Sequence, residues 1–364
     1  MTEEVWLVFA VTVAVAALVF CCMRCFRSTR NHRQESEIEQ YRSFLRIPPS
    51  QLLQAHDNHQ TLSVYATNML RQALQYASLT HFLQWSEVPA SATPTSTVSA
   101  AVPPTTATPA PIFDIVLAYY KVNPVGWLME LARQLPETIF PSQVRIFIYA
   151  KATDPGDPEF DADAIRATYP ESWRDRLIIV PLQNVGRCDH TYVYHIVTQV
   201  SSASSASSPA RYTVFLKDRT ASDVKLEVLL KWFANPRDEF TGVYGGSTAN
   251  NLADFRHAHA YYTLHDQNQN RDTFLTAPDF LQPLHSWMKV ITQNPDLSKN
   301  VYAPPQYKGI FMVPTATIRN TSRETWIRAG ISLCYGRNIE TGHYMERVWA
   351  TLLGAGSGDG HIDS

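Results

Sequence analysis

Residues 5–22 read VWLVFAVTVAVAALVFCC, eighteen positions without a charge. At about 1.5 Å per residue this run nearly crosses a hydrocarbon core of roughly 30 Å, and residues 23–26 can extend it. The pattern predicts a transmembrane helix, with residues 1–26 as the anchor. A cleaved signal peptide is the rival reading. Such a peptide opens on a basic stretch and closes at a small-residue cleavage site. Here Glu3 and Glu4 precede the run and no A-x-A closes it. Arg24, Arg27, Arg30 and Arg33 all follow the span. Basic residues stay on the cytosolic side, so the expectation is a single-pass membrane protein with its domain in the cytosol, the lumenal side being the alternative. Cys21, Cys22 and Cys25 sit at the membrane boundary, either as palmitoylation sites or simply as small apolar residues.

Beyond the anchor the pattern becomes amphipathic. Leu62, Tyr65, Ala66, Met69, Leu70, Ala73 and Leu74 recur at helical spacing and make one apolar face. Residues 27–85 therefore read as a helical neck, interrupted at Pro48 and Pro49. Its apolar face either packs on the main domain or self-associates as a stalk. Residues 86–111, SEVPASATPTSTVSAAVPPTTATPAP, contain almost nothing large enough to bury and predict a disordered or extended linker. A second such run, SSASSASSPA at 201–210, predicts a mobile surface insertion.

From residue 112 to 354 apolar runs alternate with helical stripes. Phe113–Tyr120 reads as a strand buried on both faces, and Val144–Tyr149, Arg176–Leu182 and Tyr212–Leu216 read as the next three strands. Between and after them Val125–Leu135, Ala162–Tyr169, Asp189–Val200 and Val224–Phe233 read as helices. A later strand at Gly309–Val313 and helices at Thr321–Leu333 and Tyr344–Leu353 complete the pattern. The order predicts an α/β fold, Rossmann-like, with a largely parallel mixed sheet and helices on both faces. Residues 355–364 read as a flexible tail.

Charge narrows the function. With 31 Lys+Arg against 33 Asp+Glu there is no basic footprint, which argues against nucleic acid as the main partner. The five cysteines form no pair of CxxC motifs, so a structural zinc module is not expected. The chain has no P-loop, GxGxxG, GxSxG or HExxH.

In open α/β sheets ligands bind beyond the C-terminal strand ends. That rule selects Tyr119–Asn123, Tyr149–Lys151, Asn184–Arg187 and Lys217–Arg219. Gly186 and Arg187 lie between a strand end and a helix start, where free N–H groups and a guanidinium favour an anion. Asp189 as the N-cap would oppose one, and a capped helix with a surface arginine is the plain alternative. Gly186, Arg187, His190 and Lys217 are the ligand-binding candidates. Asp218 and Glu346 are the catalytic candidates, although Glu346 also reads as an ordinary helix-surface acid. His257, His259, His265 and Asp266 are metal-ligand types, but spacing fixes no third ligand and no metal site is expected there. Asp161-Ala162-Asp163 sits at a helix start and suits capping.

NVGRCDHTYVYHI followed by YTVFLKD resembles a domain family of unknown function found in fungi, bacteria, algae and large viruses. The resemblance runs from Asp114–Tyr120 and Trp127-Leu128, through Gly186-Arg187, Thr191-Tyr192 and Val214-Phe215-Leu216, to Tyr307–Val313 and Glu346-Arg347-Val348-Trp349. That family is similar to the A-type glycosyltransferase fold. The resemblance implies a membrane-anchored glycosyltransferase-like protein that takes a nucleotide sugar and a carbohydrate acceptor, with a divalent metal as the cofactor of such chemistry. The chain departs from the family at Lys121-Val122-Asn123, at Cys188 and at Lys217-Asp218, where the family has Asn-Glu, Glu and a glycine. A non-catalytic tethered module for a carbohydrate or protein, and a metal-dependent hydrolase, are the alternatives.

Overall fold

A computed structural model describes residues 64–75, 78–87, 111–120, 124–140, 142–152, 161–201, 209–243, 252–256, 275–305 and 307–354. The expected anchor, most of the linker, Lys121–Asn123, the His257–Asp266 group and the tail lie outside these residues. Among the described residues no helix is long and apolar enough to cross a membrane.

The chain is α/β, built on one six-stranded mixed sheet. The strands are β1 (Phe113–Tyr119), β2 (Val144–Ala152), β3 (Leu177–Gln183), β4 (Tyr212–Lys217), β5 (Thr241–Gly242) and β6 (Phe311–Pro314). Their order is β3-β2-β1-β4-β6-β5. The first four are parallel, while β6 runs antiparallel to both β4 and β5. The chain moves outward from β1 through β2 to β3, then returns to the other side of β1 as β4. Strand order therefore reverses between β1 and β4, and the crevice at their C-terminal ends is the expected ligand position.

The longer helices are α1 (Val64–Gln75), α2 (Leu79–Ser86), α3 (Val125–Gln134), α4 (Arg187–His195), α5 (Leu226–Ala234), α6 (Leu284–Thr292), α7 (Arg323–Ser332) and α8 (Glu340–Leu352). Alternation along β1 sends Phe113, Ile115 and Leu117 to one face, where they join Leu128 and Leu131 of α3 and Leu229, Trp232 and Phe233 of α5. The other face carries α4 and α8. There Phe215 packs tilted against Phe311 at 4.8 Å between ring centroids and stacks on Trp349 of α8 at 6.1 Å. Asp114 is the exception in β1, a buried carboxylate inside a parallel strand. Its register partner on β2 is Arg145, which grips it with two prongs of 2.7 and 2.8 Å. That fork satisfies both carboxylate oxygens and explains how the strand tolerates the charge.

The helical stretch ahead of the linker does not stand apart from the domain. Leu70, Ala73 and Leu74 of α1, with Phe82 and Ser86 of α2, are buried. The pair packs on α7. The Phe82 ring occupies the space that a Cβ at Gly330 would need, which is why a glycine interrupts α7. The guanidinium of Arg71 caps the Phe280 ring at 4.6 Å. Of the two fates open to this apolar face, packing on the domain is the one observed, and the folded unit begins well before residue 112. A self-associating stalk would need a face that is already covered.

Candidate functional site

Asp218 stands at the β1–β4 crossing. Its Oδ2 accepts the Tyr120 N–H at 3.1 Å, and its carbonyl accepts the Trp127 indole N–H at 3.1 Å. Its own N–H donates to the Ala118 carbonyl at 3.0 Å. The turn is braced by Thr220, whose Oγ1 accepts from the Lys217 N–H at 2.8 Å and donates to the Lys217 carbonyl at 2.7 Å. Half-buried Tyr119, Tyr120 and Trp127 surround this point. Burial, and then the charge of Asp218, push the Tyr119 phenol up. Asp218 is thus a carboxylate next to an aromatic wall.

Arg187 approaches the end of β4 from the helix side. It takes a left-handed backbone, φ 56°, directly after Gly186, also at φ 56°. For a residue with a side chain that conformation costs roughly 1–2 kcal/mol, and persistent strain of this kind marks sites under a functional constraint. The exposed guanidinium reaches α8, with Nη1 3.1 and 3.0 Å from the two ring nitrogens of buried His343. His343 Nδ1 lies 3.8 Å from Glu346 Oε2, and Arg347 Nη1 lies 4.0 Å from the same oxygen. The other oxygen, Glu346 Oε1, accepts the Lys308 N–H at 2.8 Å. Lys308 Nζ donates to the Asp223 carbonyl at 2.7 Å, and Lys217 Nζ pairs with Asp223 Oδ2 at 2.8 Å. Arg187, Lys217 and Lys308, from three separate segments, are thereby tied into one polar cluster.

Two carboxylates in this cluster are driven apart. Burial pushes the Glu346 carboxyl up, but the His343 hydrogen bond and the charges of Arg187, His343 and Arg347 win and hold it well below the usual range. Asp189 is pushed up to about 7, first by burial and then by the Glu346 charge, against the Trp349 indole N–H, Arg187 and Lys217. The indole donates to Asp189 Oδ1 at 2.8 Å. Such a split is a recurring feature of functional sites.

The six sequence-selected residues fare differently. Arg187, Lys217 and Glu346 come together, and Asp218 adjoins them through Lys217. Gly186 has another job. Its N–H donates to the Gly336 carbonyl at 2.7 Å, and a Cβ there would lie 2.6 Å from the Leu333 carbonyl oxygen. The glycine is required by backbone contact inside the protein, and its N–H already has a partner. His190 faces away from the cluster, fully buried between Lys151 and Ser86, and burial followed by the Lys151 charge pulls its pKa well below 6.5. As a ligand-binding residue it is corrected to an internal one. Glu346 is enclosed as an anion, which ill suits proton transfer. Asp189 is no N-cap, because α4 begins two residues earlier and Asp189 is buried against Trp349. Asp161 is a cap, accepting from the N–H groups of Asp163 and Ala164. Nothing in the sequence pattern marks Lys308, whereas the i, i+3 spacing of His343 and Glu346 on one helix was a usable signal.

The donor set does not suit a divalent metal, which asks for several available oxygen ligands. Asp218 already accepts the Tyr120 N–H, Asp223 is paired with the Lys217 ammonium, and Glu346 is ringed by cations. Among the described residues no group of three His, Cys, Asp or Glu side chains could hold a metal. No protein-family model matches the chain. No curated protein matches it either.

Proposed function

We propose that this chain is a membrane-anchored, glycosyltransferase-like protein that binds a nucleotide sugar in the crevice between the ends of β1 and β4. The observation that carries this reading is the meeting of Arg187, Lys217 and Lys308 beside a half-buried aromatic wall, at the point where strand order reverses. Diphosphate oxygens call for bidentate and point-charge donors, and Arg187 with the two lysines supplies them. Tyr119, Tyr120 and Trp127 offer faces for stacking a base or a sugar ring. The sequence resemblance to a family similar to A-type glycosyltransferases points the same way.

In this reading each residue has a defined task. Arg187, Lys217 and Lys308 compensate the diphosphate charge, which a metal would otherwise do. His343 supports the Arg187 guanidinium from beneath. Glu346 holds Lys308 and His343 in place and stays ionised. Asp218 is the carboxylate left next to the aromatic wall, and it is the group to orient or deprotonate a carbohydrate hydroxyl.

A second reading is a non-catalytic tethered module that binds a carbohydrate or protein partner through the same crevice. The observation in its favour is the enclosure of Glu346, which leaves Asp218 as the one candidate acid or base retained from the sequence. Thermal unfolding of the full chain with uridine or guanosine diphosphate, each with and without manganese, separates the readings. A ligand at a hundred times its Kd adds about 2.7 kcal/mol of stability. Stabilisation by the diphosphate supports the nucleotide-sugar reading, stabilisation by manganese alone supports a metal-dependent hydrolase, and no response supports the tethered module.

A further inference from the structure

Lys151 lies near the C-terminal end of β2 and is buried. Its ammonium is 2.9 Å from the Val185 carbonyl, 3.3 Å from the Gln183 carbonyl and 2.9 Å from His190 Nδ1. An ammonium has three N–H donors, and these are three acceptors. Because His190 Nδ1 accepts, Nε2 carries the ring hydrogen and donates to Ser86 Oγ at 3.0 Å. The Ser86 hydroxyl in turn donates to the Phe82 carbonyl at 2.6 Å. Donation starts at the Lys151 ammonium and runs both ways, to the two carbonyls and through His190 and Ser86 to the Phe82 carbonyl. The strut thus connects the backbone just ahead of Gly186 and Arg187, through α4, to the last turn of α2. Next along the chain, Glu87 bridges the β3 edge at Leu182.

We propose that the α1–α2 pair is a docked control element for the loop that carries Arg187, and that Ser86, His190 and Lys151 form the strut through which docking fixes that loop. Lys151 and His190 are positioning residues in this account. When the pair lifts away, Ser86 leaves with it, the His190 N–H has no acceptor in a buried place, and the ammonium loses its orienting partner. The carbonyls at 183 and 185 then lose their fixed donor. The pair follows residues 1–26, so a pull on the N-terminal side or a partner that captures α1–α2 would reach the Arg187 loop. The coupling holds whatever Arg187 binds, and only its effect on ligand affinity rests on the proposed phosphate site.

Native-state hydrogen exchange on the full chain in low urea tests the coupling directly. Amides of residues 79–86 and 185–190 should open as one unit, with the same free energy and urea dependence, before β1 and β4 open. Ser86→Ala should speed exchange of the Gly186 amide by roughly 5- to 30-fold, the loss of about 1–2 kcal/mol at 1.4 kcal/mol per tenfold. Amides of α6 should not change. Tyr194→Phe is the control, because it removes a 3.3 Å contact from the Tyr194 hydroxyl to Glu87 without touching the strut, and Gly186 should keep its protection. The proposal is overturned if residues 79–86 open while 185–190 stay protected. It is equally overturned if Ser86→Ala speeds exchange evenly across the domain, or if Tyr194→Phe reproduces its effect. Coupling seen together with no nucleotide binding would support the strut and reject the phosphate site alone.

Discussion

Arg187 and His343 lie 156 residues apart in sequence and 3.0 Å apart in space, a guanidinium nitrogen set against a buried imidazole. The contact joins the first residue of α4 to α8 and sets the direction of a strained, exposed cation near the end of β4. Replacing His343 by alanine should leave Arg187 charged but unsupported. Nucleotide diphosphate affinity should fall about 3- to 10-fold, less than for loss of Arg187 itself, as read by calorimetric titration.

The backbone of Arg187 gives a separate test. At φ 56° an alanine keeps the strain and a glycine relieves it. Arg187→Gly should therefore be more stable than Arg187→Ala by about 0.5–1 kcal/mol in urea unfolding, while both lose ligand binding equally. A site under functional strain shows this opposition between stability and binding.

Glu346 should dominate the acid limb of stability. Its folded pKa is depressed below the ordinary 4.5, so its contribution is fully present above that pH and is lost as pH falls toward the folded value. Glu346→Gln should cost about 3 kcal/mol at neutral pH and flatten the stability profile below pH about 4.5. Urea unfolding across pH 2–7 reads both effects.

Asp189 should act in the opposite sense. Its folded pKa is raised from 3.8 to about 7, so the folded state binds the extra proton between these values and stability falls as pH rises through that window. Asp189→Asn keeps an oxygen for the Trp349 indole and cannot ionise. It should be stabilising above pH 7, by about 2–4 kcal/mol, and neutral near pH 4.

The docked helices predict where the folded unit starts. Phe82→Ala should cost about 3–5 kcal/mol, since a fully buried ring is lost from its seat against Gly330. A chain beginning at residue 112 should expose the same seat and aggregate, whereas a chain beginning at residue 49 should unfold cooperatively. Thermal unfolding followed by light scattering distinguishes the two.

These relationships also show what the sequence could carry. The four parallel strands were legible, because continuous apolar runs such as Phe113–Tyr119 and Tyr212–Leu216 have few other uses. The glycine at 186 read as part of an anion site, whereas it serves a close backbone approach inside the protein. The approaching group, the Leu333 carbonyl, comes from a segment about 150 residues away, and no local pattern identifies it. Asp189 imitated an N-cap because an acid ahead of an apolar stripe is the usual sign. The helix instead starts at Arg187 in a conformation that sequence preference disfavours. His190 looked like a ligand at a helix start, and only Lys151 and Ser86, each from another segment, make it internal. Leu284, Trp287, Met288 and Ile291 of α6 keep helical spacing, yet no helix was expected there.

Arg187→Ala examined by calorimetric titration with a nucleotide diphosphate is the most direct test of the central claim. The unaltered chain should bind, and the variant about 10- to 100-fold more weakly, for a charge-assisted contact of roughly 1.5–3 kcal/mol. The melting temperature should fall only modestly, because Arg187 is exposed but also helps hold the Glu346 carboxyl ionised. Equal affinity in the two proteins, or a variant that loses several kcal/mol of stability with no change in binding, would contradict the claim.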